Sequence, residues 1–341
     1  DYHRDHGRDR GSRQAEGAAT GGIMEQELRE IVRKLLQEKA IDYFIGYEEG
    51  VELLHTTPCF VEREEQVQAL VWSPLCPYNL ARYLHQMKNG AGKVGLVVKG
   101  CDARAIVELE KGNQIQRERV VVVGVPCQGQ VDLAKLDEAF EDVEAVEEKG
   151  DTFLVTVGEK VHHVEKERLL REKCFSCKHP ISFEYDFVLG EISPLLLGRG
   201  SESEFAAVEE LERLPVEERR AFWRAQFERC IRCYACRDIC YACYCQECIF
   251  ESKAPRWLEK TTTPLDNQTY HLIRAWHMVG RCIDCGECER VCPVGIPLRR
   301  LYKKVEKEVE QLFDYQAGMR VEEVPPLVSF QIDDLVIEES S

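Results

Sequence analysis

No window of this 341-residue chain approaches eighteen consecutive apolar residues, which excludes the ordinary membrane-spanning helix. Its first residues, Asp1 to Gly22, mix four arginines with acids and glycines and lack the charged, apolar, small-residue order of a secretory signal. Lysine and arginine form no long run, and 61 acids against 45 bases leave a formal charge of -16, the wrong sign for tracking a phosphate backbone. GxGxxG, P-loop, GxSxG and HExxH patterns are all missing, so the chain offers no nucleotide fingerprint and no hydrolytic machinery of its own.

Cysteine is what the chain has in excess. Of its 17 cysteines, 11 crowd into the 63 residues from Cys230 to Cys292. In a short secreted chain that density would mean disulfides. A long chain with 44% hydrophobic and 31% charged residues, no signal and CxxC steps points to metal in a reducing cytoplasm.

Along the chain, residues 1–23 carry few large aliphatic side chains and no period, and read as a disordered arm or non-native extension. From Met24, the residues Leu28, Ile31, Val32, Leu35 and Leu36 place one apolar stripe on a helix. Short β-like runs follow at Ile41 to Gly46 and Ala69 to Trp72, then a helix near Leu80 to Met87. Val94 to Val98 and Val120 to Val123 are continuous β-branched runs flanking the helix-compatible stretch Ala103 to Glu110. That is a βαβ unit of a parallel sheet buried on both faces. Ligands of such sheets sit at the carboxyl ends of the strands, where Cys101 and Cys127 lie. A hairpin is expected at Thr152 to Val157 and Val161 to Val164, turning at Gly158-Glu159, with a short helix leading to Cys174. Gly198 to Ser203 reads as a linker, Glu209 to Glu228 as helix, and Leu301, Val305, Val309 and Leu312 as a last amphipathic helix.

Two copies of one motif carry the chemistry: Cys230-x2-Cys233-x2-Cys236-x3-Cys240 and Cys282-x2-Cys285-x2-Cys288-x3-Cys292-Pro293. In this ferredoxin run three thiolates wrap one cube while the fourth reaches the other. The ligand sets therefore cross: Cys230, Cys233, Cys236 and Cys292 for one 4Fe-4S cluster, Cys282, Cys285, Cys288 and Cys240 for the second. Zinc would take two pairs and leave the third cysteine of each triplet over. Tyr241 stands where the usual motif has proline. Cys174 and Cys177, with Cys101 and Cys127, make four thiolates, enough for a third cluster. Cys243, Cys245 and Cys248, in the insert between the two runs, read as ligands of a further, fourth cluster, as a partner contact, or as packing. Cys59 and Cys76 read as buried thiols. His271, Arg274 and His277, on an expected helix Asn267 to Val279, read as a solvated or interface face, the other reading being a proton or cluster-tuning role.

KGCDARA (Lys99 to Ala105), GVPCQG (Gly124 to Gly129), CFSC (Cys174 to Cys177) followed by YDFVLGE, and the two ferredoxin runs together resemble the beta subunit of coenzyme F-420 (deazaflavin) hydrogenases and dehydrogenases. CIRCYACR and GRCIDCGECERVCP are especially like bacterial members of the formate-dehydrogenase-beta type or those encoded with heterodisulfide-reductase-like proteins. The resemblance covers about Leu53 to Pro297. It implies an electron-transfer subunit with iron-sulfur clusters and, in the deazaflavin-reducing members, an FAD that exchanges a hydride. It carries Cys127, Cys174 and Cys177 over as cluster ligands, Cys101 less directly, and names no flavin-binding residue.

The expected fold is an α/β N-terminal domain with a parallel sheet, plus a C-terminal α+β two-cluster ferredoxin domain. The divisions are 24–197 for the F-420 beta-subunit-like unit, 198–204 for the linker, 205–315 for the ferredoxin-type unit with its insert, and 316–341 for a tail. The expected role is a cytoplasmic, anaerobic iron-sulfur relay between a partner dehydrogenase or hydrogenase and a heterodisulfide-reductase-like or other acceptor, with no nucleic acid and no membrane span. The rivals are an FAD-dependent reductase of deazaflavin or another hydride carrier, with the flavin in the crevice at Cys101 and Cys127, and a structural metal-cluster scaffold. Two complete ferredoxin runs predict about eight or more irons per chain after anaerobic purification. Iron analysis with electron paramagnetic resonance checks this, and stoichiometric zinc without iron would overturn it.

Overall fold

The computed structural model describes residues 21–87, 92–190 and 204–329. Helix α1 (Gly21–Gln37) opens three residues ahead of Met24, slightly earlier than expected. The strands β1 (Tyr43–Glu49) and β2 (Thr56–Val61) form an antiparallel pair, and β2 has no counterpart among the elements expected from the sequence. Ala69 to Trp72 is no strand. Glu64–Ala69 winds as a 3-10 helix, and of the next residues Val71 makes one isolated bridge to Tyr47.

The βαβ unit is as expected: β3 (Val94–Val98), α2 (Gly100–Lys111) and β4 (Val120–Gly124), with β3 and β4 parallel and in register. The five-stranded sheet runs β2-β1-β3-β4-β8, where β8 is Phe187–Val188. Its three inner pairings are parallel and its β2 edge is antiparallel, so the sheet is mixed where a parallel one was expected. A strand reached by a hairpin from β1 can only pair antiparallel. Every residue of β3 is buried, which is why this strand reads as an unbroken apolar run. The 3-10 helix Leu80–Met87 packs on β3 and α2.

Helix α3 (Leu133–Ala139), capped by the Asp132 side chain, leads to a second sheet of β5 (Ala145–Lys149), β6 (Thr152–Val157) and β7 (Lys160–Glu165). The predicted hairpin is its β6-β7 half. This sheet has its own small core around Leu136, Phe153, Val155 and Leu169, which reaches Cys174. Two one-turn helices, α4 (Lys166–Leu169) and α5 (Glu172–Phe175), carry the chain into the CxxC.

The expected linker lies almost wholly outside the described residues. From residue 204 the α-helices of the described chain are α6 (Ala206–Glu212), α7 (Val216–Glu228), α8 (Ala235–Asp238), α9 (Pro264–His277), α10 (Glu287–Arg290) and α11 (Leu298–Phe313), joined by irregular segments. No strand occurs among the described residues of this region, so the α+β expectation is corrected to an all-helical one. Each short stretch between cysteines turns its backbone around a sulfur and leaves no extended run to pair.

One hydrophobic core spans both halves, from Leu28 on α1 to Ala317. Residues expected to begin a tail instead lock onto α2. Arg104 donates to the Ala317 carbonyl at 3.0 Å and the Gly318 amide donates to Glu108 Oε1 at 2.7 Å. Gly100 sits where two segments approach closely, since a Cβ there would lie 2.0 Å from the His179 carbonyl oxygen. Replacing Gly100 by Ala is therefore expected to destabilise the fold by about 1–3 kcal/mol. Denaturant unfolding measures it; an unchanged midpoint would mean the His179 loop yields at no cost.

Candidate iron-sulfur sites

The two ferredoxin runs have matching backbones. In each, the second residue after the first cysteine and the fourth are left-handed: Arg232 (φ 47°) and Tyr234 (φ 63°) in one, Asp284 (φ 56°) and Gly286 (φ 68°) in the other. Left-handed turns on both sides of the middle cysteine bend the chain into a bowl before the one-turn helices α8 and α10. Backbone amides point at sulfur, from Arg232 to Cys230 Sγ and from Ile296 to Cys292 Sγ, both at 3.3 Å. Such bonds stabilise thiolate charge.

One of the two crossed sets shares a cavity. Cys240, Cys282, Cys285 and Cys288 line one cavity with Arg274, Asp284, Arg299 and Tyr302. Burial raises the pKa of the Cys230 thiol, and Cys236, Cys292 and Cys233 add to the rise as neighbouring charges. A separate cavity of about 60 Å³ is lined by Cys101, Cys127, Cys174 and Cys177 together. The two strand-end loops and the CxxC thus meet. Among the described residues no three His, Cys, Asp or Glu side chains close on a single ion position. A four-iron cube takes its thiolates at separate corners, which is a wider arrangement.

Positive charge collects around the cavity of Cys101. Lys99, Arg104, Lys173, Lys178 and Lys303 line it, against Asp284 and Glu204. Burial pulls Lys99 toward neutrality, but its ion pair to Asp102 at 3.0 Å outweighs this and lifts it to about 12, so it stays charged. Burial pushes the Cys101 and Cys282 thiols up to about 12, so in the metal-free chain both are protonated at neutral pH. Metal binding there must release protons. The donor chemistry and the cationic wall fit an anionic four-thiolate cluster.

The thiol cavity is smaller than the roughly 300–1,000 Å³ of a small-molecule pocket. Beyond Gln128 lies a separate groove of about 620 Å³. Its lining includes Glu25, Glu49, Glu52, Glu144, Glu147 and Glu148 and no Lys or Arg, a poor match for a dinucleotide's diphosphate.

Cys243 falls next to Cys240, whose thiol it holds down by a hydrogen bond, and next to Arg274 at 3.9 Å. Cys245 is exposed, and Cys248 hydrogen-bonds Arg237. These three line none of the thiol cavities described above. Cys59 and Cys76 are buried, as expected, and Cys76 lies beside Ser73.

The solvated-face reading of α9 is overturned for two of its three residues. His271 and Arg274 are buried, and His277 is exposed. His271 Nε2 lies 3.3 Å from Cys230 Sγ, and burial lowers its pKa to about 4, so it is neutral at pH 7. Arg274 donates to the Cys236 carbonyl at 2.9 Å and to the Tyr302 hydroxyl, and lines the cavity of the other cysteine set. A hydrophilic i, i+3, i+6 spacing cannot distinguish a wet face from one turned toward thiolates. Lys173 was also missed. It is buried and donates to the Cys285 carbonyl at 2.7 Å. The basic residue immediately before Cys174 was its only sequence signal.

These features define an iron-sulfur protein of the electron-transfer class. Residues 91–211 match the family model for the C-terminal part of the coenzyme F420 hydrogenase/dehydrogenase beta subunit, and residues 276–297 match a 4Fe-4S binding domain. Similar proteins are the F420-dependent formate dehydrogenase subunit beta of Methanocaldococcus jannaschii, 26% identical over 88% of this chain and 93% of that one, and the F420-dependent formate dehydrogenase 1 subunit beta of Methanococcus maripaludis, 25% identical over 87% and 91%. A chain of the F420-reducing [NiFe] hydrogenase complex from Methanosarcina barkeri aligns over 48% of this chain and 64% of its own, at 18% identity and a TM-score of 0.39. The family match and the two formate dehydrogenase beta subunits bear out the resemblance read from the motifs. No described helix is long and apolar enough to cross a membrane.

Arg274 puts a full positive charge between two cysteine sets. Unit charges a few ångströms apart at an effective dielectric near 20 interact by about 3 kcal/mol, on the order of 100 mV for a one-electron couple. Arg274→Gln is expected to lower the midpoint potential of at least one cluster by tens of millivolts, and Arg274→Lys to restore most of it. A potentiometric titration followed by electron paramagnetic resonance decides; unchanged potentials at full iron content would refute the role.

Proposed function

We propose that this chain is the electron-transfer subunit of a multi-subunit anaerobic oxidoreductase of the cytoplasm. In this reading it holds three clusters, on Cys101, Cys127, Cys174 and Cys177, on Cys240, Cys282, Cys285 and Cys288, and on Cys230, Cys233, Cys236 and Cys292. The carrying observation is that the sites abut. Ile283 and Asp284 line both of the first two cavities, and Arg274 touches the second and third sets. When bound, each cluster supplies a one-electron redox step. The chain's own residues gather the thiolates, exclude water and set local charge: Lys99 and Lys173 at one end, Arg274 in the middle, a neutral His271 at the other.

The formate dehydrogenase beta subunits among the similar proteins support a formate dehydrogenase or hydrogenase as one partner. A heterodisulfide-reductase-like protein or another acceptor takes the opposite end. A flavin reductase has less support, because the small cavity at Cys101 and Cys127 is lined by four thiols. A structural scaffold has no use for cysteine sets that share walls.

Cys127→Ser is expected to cost about four irons per chain and one spectral signature, leaving the ferredoxin pair in place. Iron analysis and electron paramagnetic resonance read this out, with full iron content counting against the first site. Clusters that dithionite cannot reduce would favour the scaffold, and extracted FAD would favour the flavin reductase.

A further inference from the structure

Helices α7 and α9 build an aromatic stack that holding iron does not require. The Trp223 and Phe227 rings lie 5.6 Å apart at 22°, and Phe227 and His271 lie 4.9 Å apart at 12°. His271 then reaches Cys230 Sγ at 3.3 Å. Three near-parallel rings in series therefore end on a cysteine of the third set. Helix turns explain the spacing, since Trp223 and Phe227 are four residues apart on one face of α7.

The outer end of the stack opens into a groove of about 580 Å³, whose lining includes Arg219, Arg220, Arg224 and Leu272 together with Trp223 and Phe227. Among the described residues no carboxylate lines it, although the chain carries a formal charge of -16. Glu217, outside the groove, pairs with Arg220 at 2.9 Å, while the buried Arg219 Nε has no hydrogen-bond partner. A cationic groove on an anionic protein reverses the local field, and such a reversal steers a partner of opposite charge to one place and one orientation. Arginine and tryptophan are also the residues that most often dominate the binding energy of interfaces.

We propose that this groove docks an acidic one-electron carrier protein, and that the Trp223, Phe227 and His271 stack couples it to the cluster held by Cys230. The inference rests on the electron-transfer reading above and adds to it the exchange point and the partner's charge. The step is a single-electron exchange, in which one centre is oxidised as the other is reduced, with no bond made and no proton moved. Arginines beside an aromatic ring could also hold a nucleic-acid strand, but the net charge of the chain favours a protein partner.

The test uses the full, cluster-loaded chain and a small acidic two-cluster ferredoxin as probe. Anaerobic calorimetry is expected to show binding that weakens about tenfold or more on raising salt from roughly 50 to 300 mM. The double variant R219E/R224E should weaken it about tenfold at low salt and flatten the salt dependence, with iron content and dithionite bleaching unchanged. Trp223→Ala should weaken binding and, at saturating ferredoxin, also slow electron transfer from the dithionite-reduced chain about tenfold, as read by stopped flow. If the charge reversal sheds iron, R219Q/R224Q replaces it, with the same expected direction. Wild-type affinity in these variants, no ferredoxin binding at all, or preferential binding of a single-stranded oligonucleotide would overturn the docking site. Failure of dithionite to reduce the clusters would instead strike the electron-transfer reading, and calorimetry would still decide the docking.

Discussion

Burying many cysteine thiols close together is the constraint on which the rest of this structure depends. A thiolate withdrawn from water is costly, and several gathered together repel one another. The fold answers with buried cations. Lys99, Lys173, Arg104 and Arg274 are all nearly inaccessible to solvent, and each is placed by an element whose other side packs in the hydrophobic core. Lys99 is fixed by Asp102 and the Tyr78 carbonyl, Lys173 by the Cys285 carbonyl, and Arg274 by Cys236 and Tyr302. Without metal, burial keeps thiols such as Cys101 and Cys282 protonated, so assembly of the sites is coupled to proton release.

The same demand explains why the two halves are not independent. Lys173 precedes the CxxC of the α/β half but bonds the second ferredoxin loop, and Arg104 on α2 bonds the carbonyls of Ile283 and Ala317. Glu306 on α11 lies 3.5 Å from Arg104, and Lys303 pairs with Glu204. These shared bonds hold Ile283 and Asp284, which line both the cavity of Cys101 and the cavity of Cys282, as a common wall.

Charge is distributed along the molecule in opposite senses. The groove beyond Gln128 is lined by glutamates, and the groove over α7 and α9 by arginines. The two grooves therefore attract ligands of opposite charge, since each repels what the other attracts.

The sequence by itself determined the elements whose signals are local and periodic. The valine runs of β3 and β4, the β6-β7 hairpin, the amphipathic α11 and the two cysteine runs could all be read there, because each depends on spacing within a few residues. Even the convergence of Cys101, Cys127, Cys174 and Cys177 followed from strand-end topology. Tertiary structure alone decided the β2 edge strand, the helical character of the C-terminal half, and the docking of Ala317 and Gly318 on α2. It alone turned His271 and Arg274 inward and stacked Trp223 on Phe227 on His271. Which face of a polar helix meets thiolates rather than water depends on what packs across from it, and residues far apart in the chain supply that partner.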